Sequence, residues 1–320
     1  MISRDPHELV ALARNGSRTA LARLLTFVES GGPTQRATAA LAYQSPPPYV
    51  VGLTGPPGAG KSTLTDRLIA TALTHGSFDG DHAFTQLGVL CVDPSSPFTG
   101  GAILGDRIRM QDHATNEHVF IRSMATRGHL GGLSLAVPDA LRVLGAALFS
   151  LALVETVGVG QMEVEIASAA DTTVVVTNPG WGDSMQANKA GLLEVADIFV
   201  INKADRPGVR ETRRDLEQML DLGGVHEWRP PILETTATED AGTSALWEAI
   251  SAHRRFLAGR RHDDHRRART RVELDKVLAV MVRSRVGALG AGEDYEAQLD
   301  ALMAGTTDPY RAAETLLGLA

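Results

Sequence analysis

Apolar residues gather in seven short runs along the chain, and turn or breaker residues bound each run. Between these runs, most segments repeat apolar residues at the spacing of an amphipathic helix. Strand-like runs that alternate with helices are typical of an α/β domain with a mainly parallel sheet and helices on both faces. The predicted strands lie at 49–54, 87–92, 118–122, 150–155, 173–177, 197–201 and 231–235. Function is then expected where these strands end, at their carboxyl edge.

Helical patterns continue beyond the predicted sheet at both ends of the chain. Leucines at helical spacing mark residues 6–29, and the proline run 46–48 predicts a stiff linker into the first strand. Residues 262–286 predict a long helix whose apolar side chains mostly share one face. The pattern alone leaves open whether this stripe packs on its own domain or on a second copy. We therefore predict a helical extension at 1–45, an α/β domain at 46–258 and a helical arm and tail at 259–320.

Composition narrows the class of protein. The 320 residues carry a formal net charge of −7, which favours neither nucleic acid nor an anionic membrane as a partner. Cys91 is the single cysteine, so no disulfide framework is possible, which suits a reducing cytoplasm. The N-terminal residues lack the pattern of a signal peptide, and the apolar runs are too short for a membrane span. A soluble cytoplasmic protein is expected.

A phosphate-binding loop follows the first predicted strand. Residues 55–62 read Gly-Pro-Pro-Gly-Ala-Gly-Lys-Ser and fit G-x-x-x-x-G-K-[ST]. The glycines allow a tight turn whose N–H groups point at phosphate, Lys61 reaches the β- and γ-oxygens, and the Ser62 hydroxyl is expected to bind Mg²⁺. The helix predicted after the loop adds the partial positive charge of its N-terminus. The expected nucleotide contacts here are Gly55, Gly58, Ala59, Gly60, Lys61, Ser62 and Thr63.

A second motif selects the base. Asn202-Lys203-Ala204-Asp205 ends the strand predicted at 197–201 and reads N-K-x-D. The Asp205 carboxylate can accept hydrogen bonds from N1–H and the exocyclic amine of guanine, a donor pair that adenine lacks. The Lys203 stem can lie over the base, and Asn202 can tie this loop to the phosphate loop. Thr236 and Ala237 follow the last predicted strand and can offer a backbone N–H to guanine O6, although a plain loop remains an alternative.

Acidic residues are expected on the metal side of the nucleotide. Glu155 ends a buried strand and precedes Thr156-Val157-Gly158, so its carboxylate can hold Mg²⁺ through water and the Gly158 N–H can sense the γ-phosphate. Asp93 ends another predicted strand, and Asp106 lies in a glycine-rich stretch. Because Mg²⁺ prefers oxygen ligands and retains waters, Asp93, Asp106 and Glu155 are predicted to converge on it with Ser62. An alternative role for Asp106 is the capping of a helix.

These motifs together resemble one family. Residues 93–96 (DPSS), 100–107 (GGAILGDR), 131–133 (GGL) and 155–161 (ETVGVGQ), with the phosphate loop and N-K-x-D, are similar to MeaB/ArgK-type GTPases over about residues 20–290. The resemblance implies a cytoplasmic homodimeric GTPase that uses GTP/GDP and Mg²⁺. It also implies a chaperone for adenosylcobalamin-dependent methylmalonyl-CoA mutase, with a role in cofactor loading and in protecting or reactivating the enzyme.

The resemblance extends to two further segments. A switch that communicates with the mutase would correspond to residues 179–191, with Asp183, Gln186 and Lys189 as its candidate residues. The dimerisation arm of the family would correspond to residues 262–290, which favours the dimer for the apolar stripe. Two departures stand out: residues 149–151 lack an aspartate common in the family, and Thr236-Ala237 replaces the usual Ser-Ala pair.

Three other functions remain open from the sequence. The first is an ATP-hydrolysing kinase or ATPase linked to amino-acid transport, and the second is a nucleotide-gated binding module whose hydrolysis is incidental. The third is a GTPase that delivers nickel, although the scattered histidines form no recognisable metal motif. Because the sequence shows no strong base and no arginine finger in cis, we expect slow hydrolysis that a partner accelerates.

Overall fold

A computed structural model of the chain describes most of its residues. The described ranges are 3–78, 84, 86–93, 110–125, 136–156, 166, 168–180, 195–222, 227–260, 262–290 and 292–319. Within them, the side chains of residues 93, 111, 114, 125, 259, 260 and 262–265 are not described.

The described strands form one seven-stranded parallel sheet. The strands are β1 (Tyr49–Thr54), β2 (Leu87–Asp93), β3 (Val119–Ala125), β4 (Leu151–Thr156), β5 (Thr172–Thr177), β6 (Ile198–Asn202) and β7 (Ile232–Thr235). Their order across the sheet is β3-β2-β4-β1-β5-β6-β7. The predicted α/β class and its parallel sheet are therefore confirmed, and each predicted apolar run overlaps one of these strands.

Helices account for most of the remaining described residues. They are α1 (Pro6–Arg14), α2 (Arg18–Ser30), α3 (Gly32–Ala42), α4 (Lys61–His75), α5 (Gln111–Ala114), α6 (Ala136–Ala146), α7 (Val209–Leu222), α8 (Thr243–Arg260), α9 (His262–Leu289), α10 (Glu293–Met303) and α11 (Pro309–Leu317). A short 3₁₀ turn also covers Ala237–Glu239.

Both faces of the sheet are covered, and alternate residues of each strand point to opposite faces. In β4, Ala152 and Val154 pack with α1, α2 and α6, whereas Leu151 and Leu153 pack with α4 and α8. Helix α7 covers β5 and β6 on the first of these faces. The continuous apolar runs of the central strands follow from this double burial.

The N-terminal helices are part of the cover of the sheet. Leu24 and Leu25 of α2 lie in the same core as Leu144 of α6 and Val154 of β4. Arg14 fixes the start of the chain, since its Nε donates to the Ala146 carbonyl at 2.8 Å. Helix α3 lies within the helical extension predicted at 1–45, although it begins at a Gly-Gly-Pro sequence that usually marks a turn. Proline is compatible with the first turn of a helix, however, where its missing N–H has no partner to lose.

A buried polar chain lies at the amino end of the sheet, opposite the expected site. The Tyr49 hydroxyl shares a hydrogen bond with Thr172 Oγ1, which in turn contacts His253 Nδ1 at 2.8 Å. His253 Nε2 lies 3.3 Å from Asp197 Oδ1, and Asp197 Oδ2 accepts from the Thr173 N–H at 2.7 Å. Burial raises the pKa of Asp197 to about 7 and raises the pKa of Tyr49 above its usual range. These hydrogen bonds connect the amino ends of β1 and β5 to helix α8.

The chain divides into two compact units, Met1–Asp264 and His265–Ala320. The second unit contains most of α9, together with α10 and α11. Several apolar side chains of α9 are exposed, with exposed fractions of 50% for Leu278, 52% for Met281 and 61% for Val282. Within the described residues, no helix combines the length and apolar character required to cross a membrane.

Candidate nucleotide-binding site

The strand order brings the sequence motifs to one edge of the sheet. Strand β1, which leads into the phosphate loop, lies between β4 and β5. Leu53 pairs with Glu155 across β1 and β4, and Thr54 pairs with Val175 across β1 and β5. Strands β2, β3 and β4 lie on one side of β1, and β5, β6 and β7 lie on the other. Ligands of α/β proteins bind in the crevice where the strand order reverses in this way.

The phosphate loop depends on glycine at two close contacts. Gly55 has φ of +132°, and a Cβ there would lie 2.0 Å from the Val176 carbonyl oxygen. Gly60 has φ of +91°, and a Cβ there would lie 2.3 Å from Asn202 Nδ2. Both values fall well below van der Waals contact, so any side chain would displace the loop. The glycines of the motif therefore allow the loop to fit between β5 and the N-K-x-D segment.

Lys61 opens α4 and is almost fully buried beneath the loop. Its Nζ donates to the carbonyl oxygens of Gly55 at 2.7 Å and Pro56 at 3.0 Å. These contacts hold a positive charge where the loop amides and the α4 N-terminus also converge. Thr63 lies half-buried in the first turn of α4. The arrangement can bind the β- and γ-phosphates of a nucleotide, as the motif predicts.

Ser62 and Glu155 form a buried pair beside Lys61. Ser62 Oγ donates to Glu155 Oε1 at 2.6 Å, and the exposed fractions are 6% and 2%. A hydroxyl and a carboxylate in contact provide the oxygen donors that Mg²⁺ prefers, so these residues fit the predicted metal. Sequence reasoning placed both residues on the metal, and the structure brings them together.

The other predicted acidic residues are only partly within the described chain. Asp93 ends β2 next to β4, where Val92 pairs with Thr156. Its backbone therefore lies on the strand next to that of Glu155, and its side chain is not among those that the structure describes. The predicted site and switch residues Asp106, Gly158, Asp183, Gln186 and Lys189 lie outside the described residues.

Asn202 joins three loops through one side chain, which is 2% exposed. Its Nδ2 donates to the Ala59 carbonyl of the phosphate loop at 2.8 Å. Its Oδ1 accepts from Thr235 Oγ1 at 3.0 Å and from the Ala237 N–H at 3.2 Å. The geometry thus includes the tie to the phosphate loop that the sequence predicted for Asn202, together with a second tie to the loop after β7.

Lys203 and Asp205 follow Asn202 at the end of β6. Lys203 has φ of +58°, an unusual value for a residue with a long side chain. Its Nζ donates to the Gly58 carbonyl at 2.6 Å, so its stem spans from the N-K-x-D segment to the phosphate loop. Asp205 is exposed in the turn that follows. A base placed here would lie beside the Lys203 stem with the Asp205 carboxylate accessible to it.

The loop after β7 is held in a fixed shape. Thr236 forms an antiparallel bridge with Ala241, with N–H to carbonyl distances of 3.0 and 3.2 Å. Ala237 opens the 3₁₀ turn and gives its N–H to Asn202. The Ala237 N–H, which was considered for guanine O6, therefore already donates to Asn202. Sequence reasoning did not single out Thr235, whose only signal was its place before the Thr236-Ala237 pair.

Four arginines of the sequence, Arg107, Arg109, Arg122 and Arg127, could act near the predicted switch segments, and of these Arg122 lies within the described residues. It lies on β3 and pairs with Glu29 of α2, and its Nη2 also contacts Thr26 Oγ1 at 3.2 Å. This arginine therefore links the edge strand to the N-terminal helices. The other three candidates, Arg107, Arg109 and Arg127, lie outside the described residues.

Comparison with known proteins shows the family. The sequence model described as "Methylmalonyl Co-A mutase-associated GTPase MeaB" matches residues 21–290, which is most of the chain. The chain belongs to the MeaB family. A putative GTPase of Pyrococcus abyssi is 46% identical to this MeaB-family chain over 316 residues, covering 97% of the chain and 95% of the relative.

Two further relatives extend this comparison. A fused isobutyryl-CoA mutase of Cupriavidus metallidurans is 36% identical over 244 residues, which cover 73% of this chain and 22% of that protein. A crystal structure described as LAO/AO transport system kinase has a TM-score of 0.71 and 27% identity, covering 100% of this chain and 99% of that one. As a member of the MeaB family, the chain is a P-loop GTPase that binds GTP and GDP.

Proposed function

We propose that this GTPase is a Mg²⁺-dependent switch that attends an adenosylcobalamin-dependent methylmalonyl-CoA mutase in the cytoplasm. In this role it gates cofactor loading and protects or reactivates the mutase. The observation that carries the switch is the Asn202 side chain, because it connects the base-binding segments to the phosphate loop. The proposed client is supported by the description of the family and by the relative in which a similar sequence is fused to an acyl-CoA mutase.

The chain's own residues supply most of the phosphate chemistry in this proposal. Lys61 and the loop amides neutralise the β- and γ-phosphates, and Ser62 and Glu155 hold Mg²⁺ together with Asp93 and Asp106. The metal, when bound, neutralises charge that develops on the phosphate oxygens. Asn202, Lys203 and Asp205 orient the guanine, and the Gly158 N–H senses the γ-phosphate. The N–H groups of Thr236 and Ala237 donate within the protein, so these two residues support the base-binding loop. Because the sequence offers no strong base, the mutase is proposed to accelerate a slow intrinsic reaction.

Replacing the base-reading carboxylate tests the guanine assignment. Asp205→Asn should weaken GTP binding and improve binding of xanthosine triphosphate, since xanthine presents an oxygen where guanine presents its amine. Asp215→Asn is the matched control, because Asp215 is also exposed but lies on α7. If the parent and the variant both preferred ATP and Asp205→Asn hydrolysed GTP at the rate of the parent, the guanine assignment would fail. That result would support the alternative of an ATP-hydrolysing kinase linked to transport.

The client is tested by a nucleotide-dependent complex. Purified protein and methylmalonyl-CoA mutase should comigrate in gel filtration with either GDP or a non-hydrolysable GTP analogue, but not equally with both. The mutase should also raise the GTPase rate. No complex in either nucleotide and no change in rate would contradict the chaperone role. Variants Asp183→Ala, Gln186→Ala and Lys189→Ala are expected to uncouple this effect while nucleotide affinity stays unchanged, because these residues form the proposed switch.

We also propose a homodimer built by the C-terminal arm. The exposed apolar side chains of α9 provide a surface that favours burial against a second copy. Light scattering should give the mass of a dimer for the parent protein and of a monomer for Met281→Asp. A parent protein that is monomeric at micromolar concentration would contradict this assignment.

A further inference from the structure

The buried polar chain at the amino end of the sheet lies away from the nucleotide site. Its members come from separate elements, since Tyr49 opens β1, Thr172 opens β5 and His253 lies on α8. Asp197 stands directly before β6. Thr172 is 0% exposed and His253 is 2% exposed. The chain therefore joins the first residues of three strands to one helix in a place that water does not reach.

The direction of the hydrogen bonds in this chain depends on the protonation of His253. When the imidazole is neutral and Nε2 carries the proton, it donates to Asp197 Oδ1, and Nδ1 accepts from the Thr172 hydroxyl. The Tyr49 hydroxyl can then donate to Thr172. When Nδ1 is also protonated, it donates to Thr172 Oγ1, and the Thr172 hydroxyl donates to Tyr49. The chain can thus accept a proton without losing a contact.

The charges around the chain favour this added proton. Burial raises the pKa of Asp197 to about 7, the Thr173 N–H opposes this rise, and the negative charge of Asp171 adds to it. Asp171 is fixed before β5, where its Oδ2 accepts from a backbone N–H of β1 at 2.7 Å. From α8, the Arg254 guanidinium lies 5.6 Å from the centroid of the Tyr49 ring. A proton bound here removes the excess of negative charge from a buried cluster.

Trp228 connects the same cluster to the segment before β7. Its Nε1 donates to the Asp197 carbonyl at 2.8 Å. Its ring centroid lies 4.8 Å from that of His253 and 5.2 Å from that of Phe256, and both of these residues belong to α8. A change of charge on the imidazole therefore acts directly on the indole ring.

We propose that Asp197 and His253 share one proton, which holds α8 against the amino end of the sheet. The proton lies between Asp197 Oδ1 and His253 Nε2, and the two groups titrate as one. When it leaves, a buried negative charge remains beside Asp171, and α8 opens more readily. The fold therefore contains a pH-sensitive latch, the amino-end latch, which consists of Tyr49, Thr172, Asp197 and His253. This inference goes beyond the proposed function and does not depend on it.

The indole of Trp228 allows the proton to be detected. Protein labelled with 5-fluorotryptophan contains three labelled residues, and Trp228→Phe identifies the signal of interest by ¹⁹F NMR. In the parent, this signal should change between about pH 5.5 and 8.5 with a midpoint of about 7. Asp197→Asn cannot ionise at this position, so its signal should stay constant.

Two variants separate a shared proton from a proton on Asp197 alone. His253→Gln keeps a donor and an acceptor but cannot hold the proton, so proton binding should weaken about tenfold and the midpoint should fall by about one pH unit. Thr172→Val removes the acceptor of the protonated imidazole and should also lower the midpoint. His75→Gln is the matched control, because His75 also stacks on a tryptophan, Trp247, but is exposed. Its midpoint should equal that of the parent.

Hydrogen exchange measures how firmly α8 is held. At each pH, the exchange rate of α8 peptides in the parent is divided by the rate in Asp197→Asn, which cancels the intrinsic pH dependence because the peptides are identical. This ratio should rise about tenfold between about pH 6 and 8.5, since the closed form binds the proton with a midpoint near 7 and the opened form does not. Peptides of α10 and α11, in the second unit, should keep a constant ratio.

The contrary results are equally definite. A constant Trp228 signal in the parent would overturn the proposal. So would a midpoint in His253→Gln that equals that of the parent, because the proton would then belong to Asp197 alone; Thr172→Val decides this point if His253→Gln does not fold. An α8 ratio that does not rise, or that rises equally in α10 and α11, would overturn the latch. None of these measurements involves nucleotide or a client, so the proposed function is tested separately.

Discussion

Changing Asn202 to aspartate replaces a single donor group in the side chain that joins three loops. The Oδ1 acceptor remains for Thr235 and Ala237, but an oxygen takes the place of the Nδ2 that now donates to the Ala59 carbonyl at 2.8 Å. Two acceptors would then face each other in a position that is 2% exposed. The two base-binding loops should stay joined to each other and separate from the phosphate loop.

The expected cost follows from these contacts. Losing one hydrogen bond costs about 1 kcal/mol, and leaving the buried Ala59 carbonyl unpaired beside a charge adds about 1–3 kcal/mol. The free energy of unfolding should therefore fall by roughly 2–4 kcal/mol, which lowers the melting temperature by about 4–16 °C for a unit of this size. Because burial raises the pKa of such a carboxyl, acid should protonate it, and the neutral form can again donate to Ala59.

Thermal unfolding of the nucleotide-free protein at about pH 8 and pH 5.5 measures both effects against the parent at each pH. Asn116→Asp is the control: its Oδ1 accepts from the His118 N–H at 2.9 Å, a bond that a carboxylate keeps, so its shift should stay within about 0.5 kcal/mol. A melting temperature of Asn202→Asp that matches the parent at the higher pH would refute the reasoning. A deficit that does not shrink in acid would show that the Ala59 contact is not the cause.

Three further predictions follow from the site and the sheet. Glu155→Gln keeps an acceptor for Ser62 but removes the charge, so the Mg²⁺ concentration for half-maximal GTP hydrolysis should rise about 10- to 100-fold; an unchanged Mg²⁺ titration would argue against the metal role. Because the pKa of Asp197 is raised to about 7 in the fold, the folded state holds more protons than the unfolded state between about pH 4 and 7, and stability should decline across this window as pH rises. Asp197→Asn should flatten that decline in urea unfolding, and an equally steep profile would contradict it. Gly55→Ala places a Cβ 2.0 Å from the Val176 carbonyl and should weaken GTP binding roughly 10- to 100-fold by calorimetry, whereas parent-like affinity would mean that the loop adapts.

Features encoded by neighbouring residues were predictable from the sequence. The strands are short continuous apolar runs, and both Gly55–Ser62 and Asn202–Asp205 are complete within a few consecutive residues. The proximity of these two segments was also predictable, because parallel strands end at one edge of the sheet. For this reason the sequence indicated that Asn202 ties to the phosphate loop, a contact that spans 143 residues.

Features that depend on register or on distant packing were not predictable. Thr235 reaches Asn202 only because β7 lies beside β6 in one register, and a single sequence does not specify that alignment. The contact of Thr172 with His253 joins residues 81 positions apart through a strand end and a helix face. The bounds of α3 within the predicted helical extension were not specified, because Gly31-Gly32-Pro33 predicts a turn equally well when the packing against α6 is unknown.

The position of β1 in the middle of the sheet has a consequence for the order in which the protein is made. Both neighbours of β1 come later in the chain, and Thr54 meets Thr156 across 102 residues. At about 5–20 residues per second, a ribosome needs roughly 5–20 s to pass from β1 to β4. During that time the phosphate loop has been synthesised, but the neighbouring strands that hold its conformation have not. Nucleotide therefore cannot guide the early steps of folding, and it can stabilise only a chain whose synthesis has passed β6.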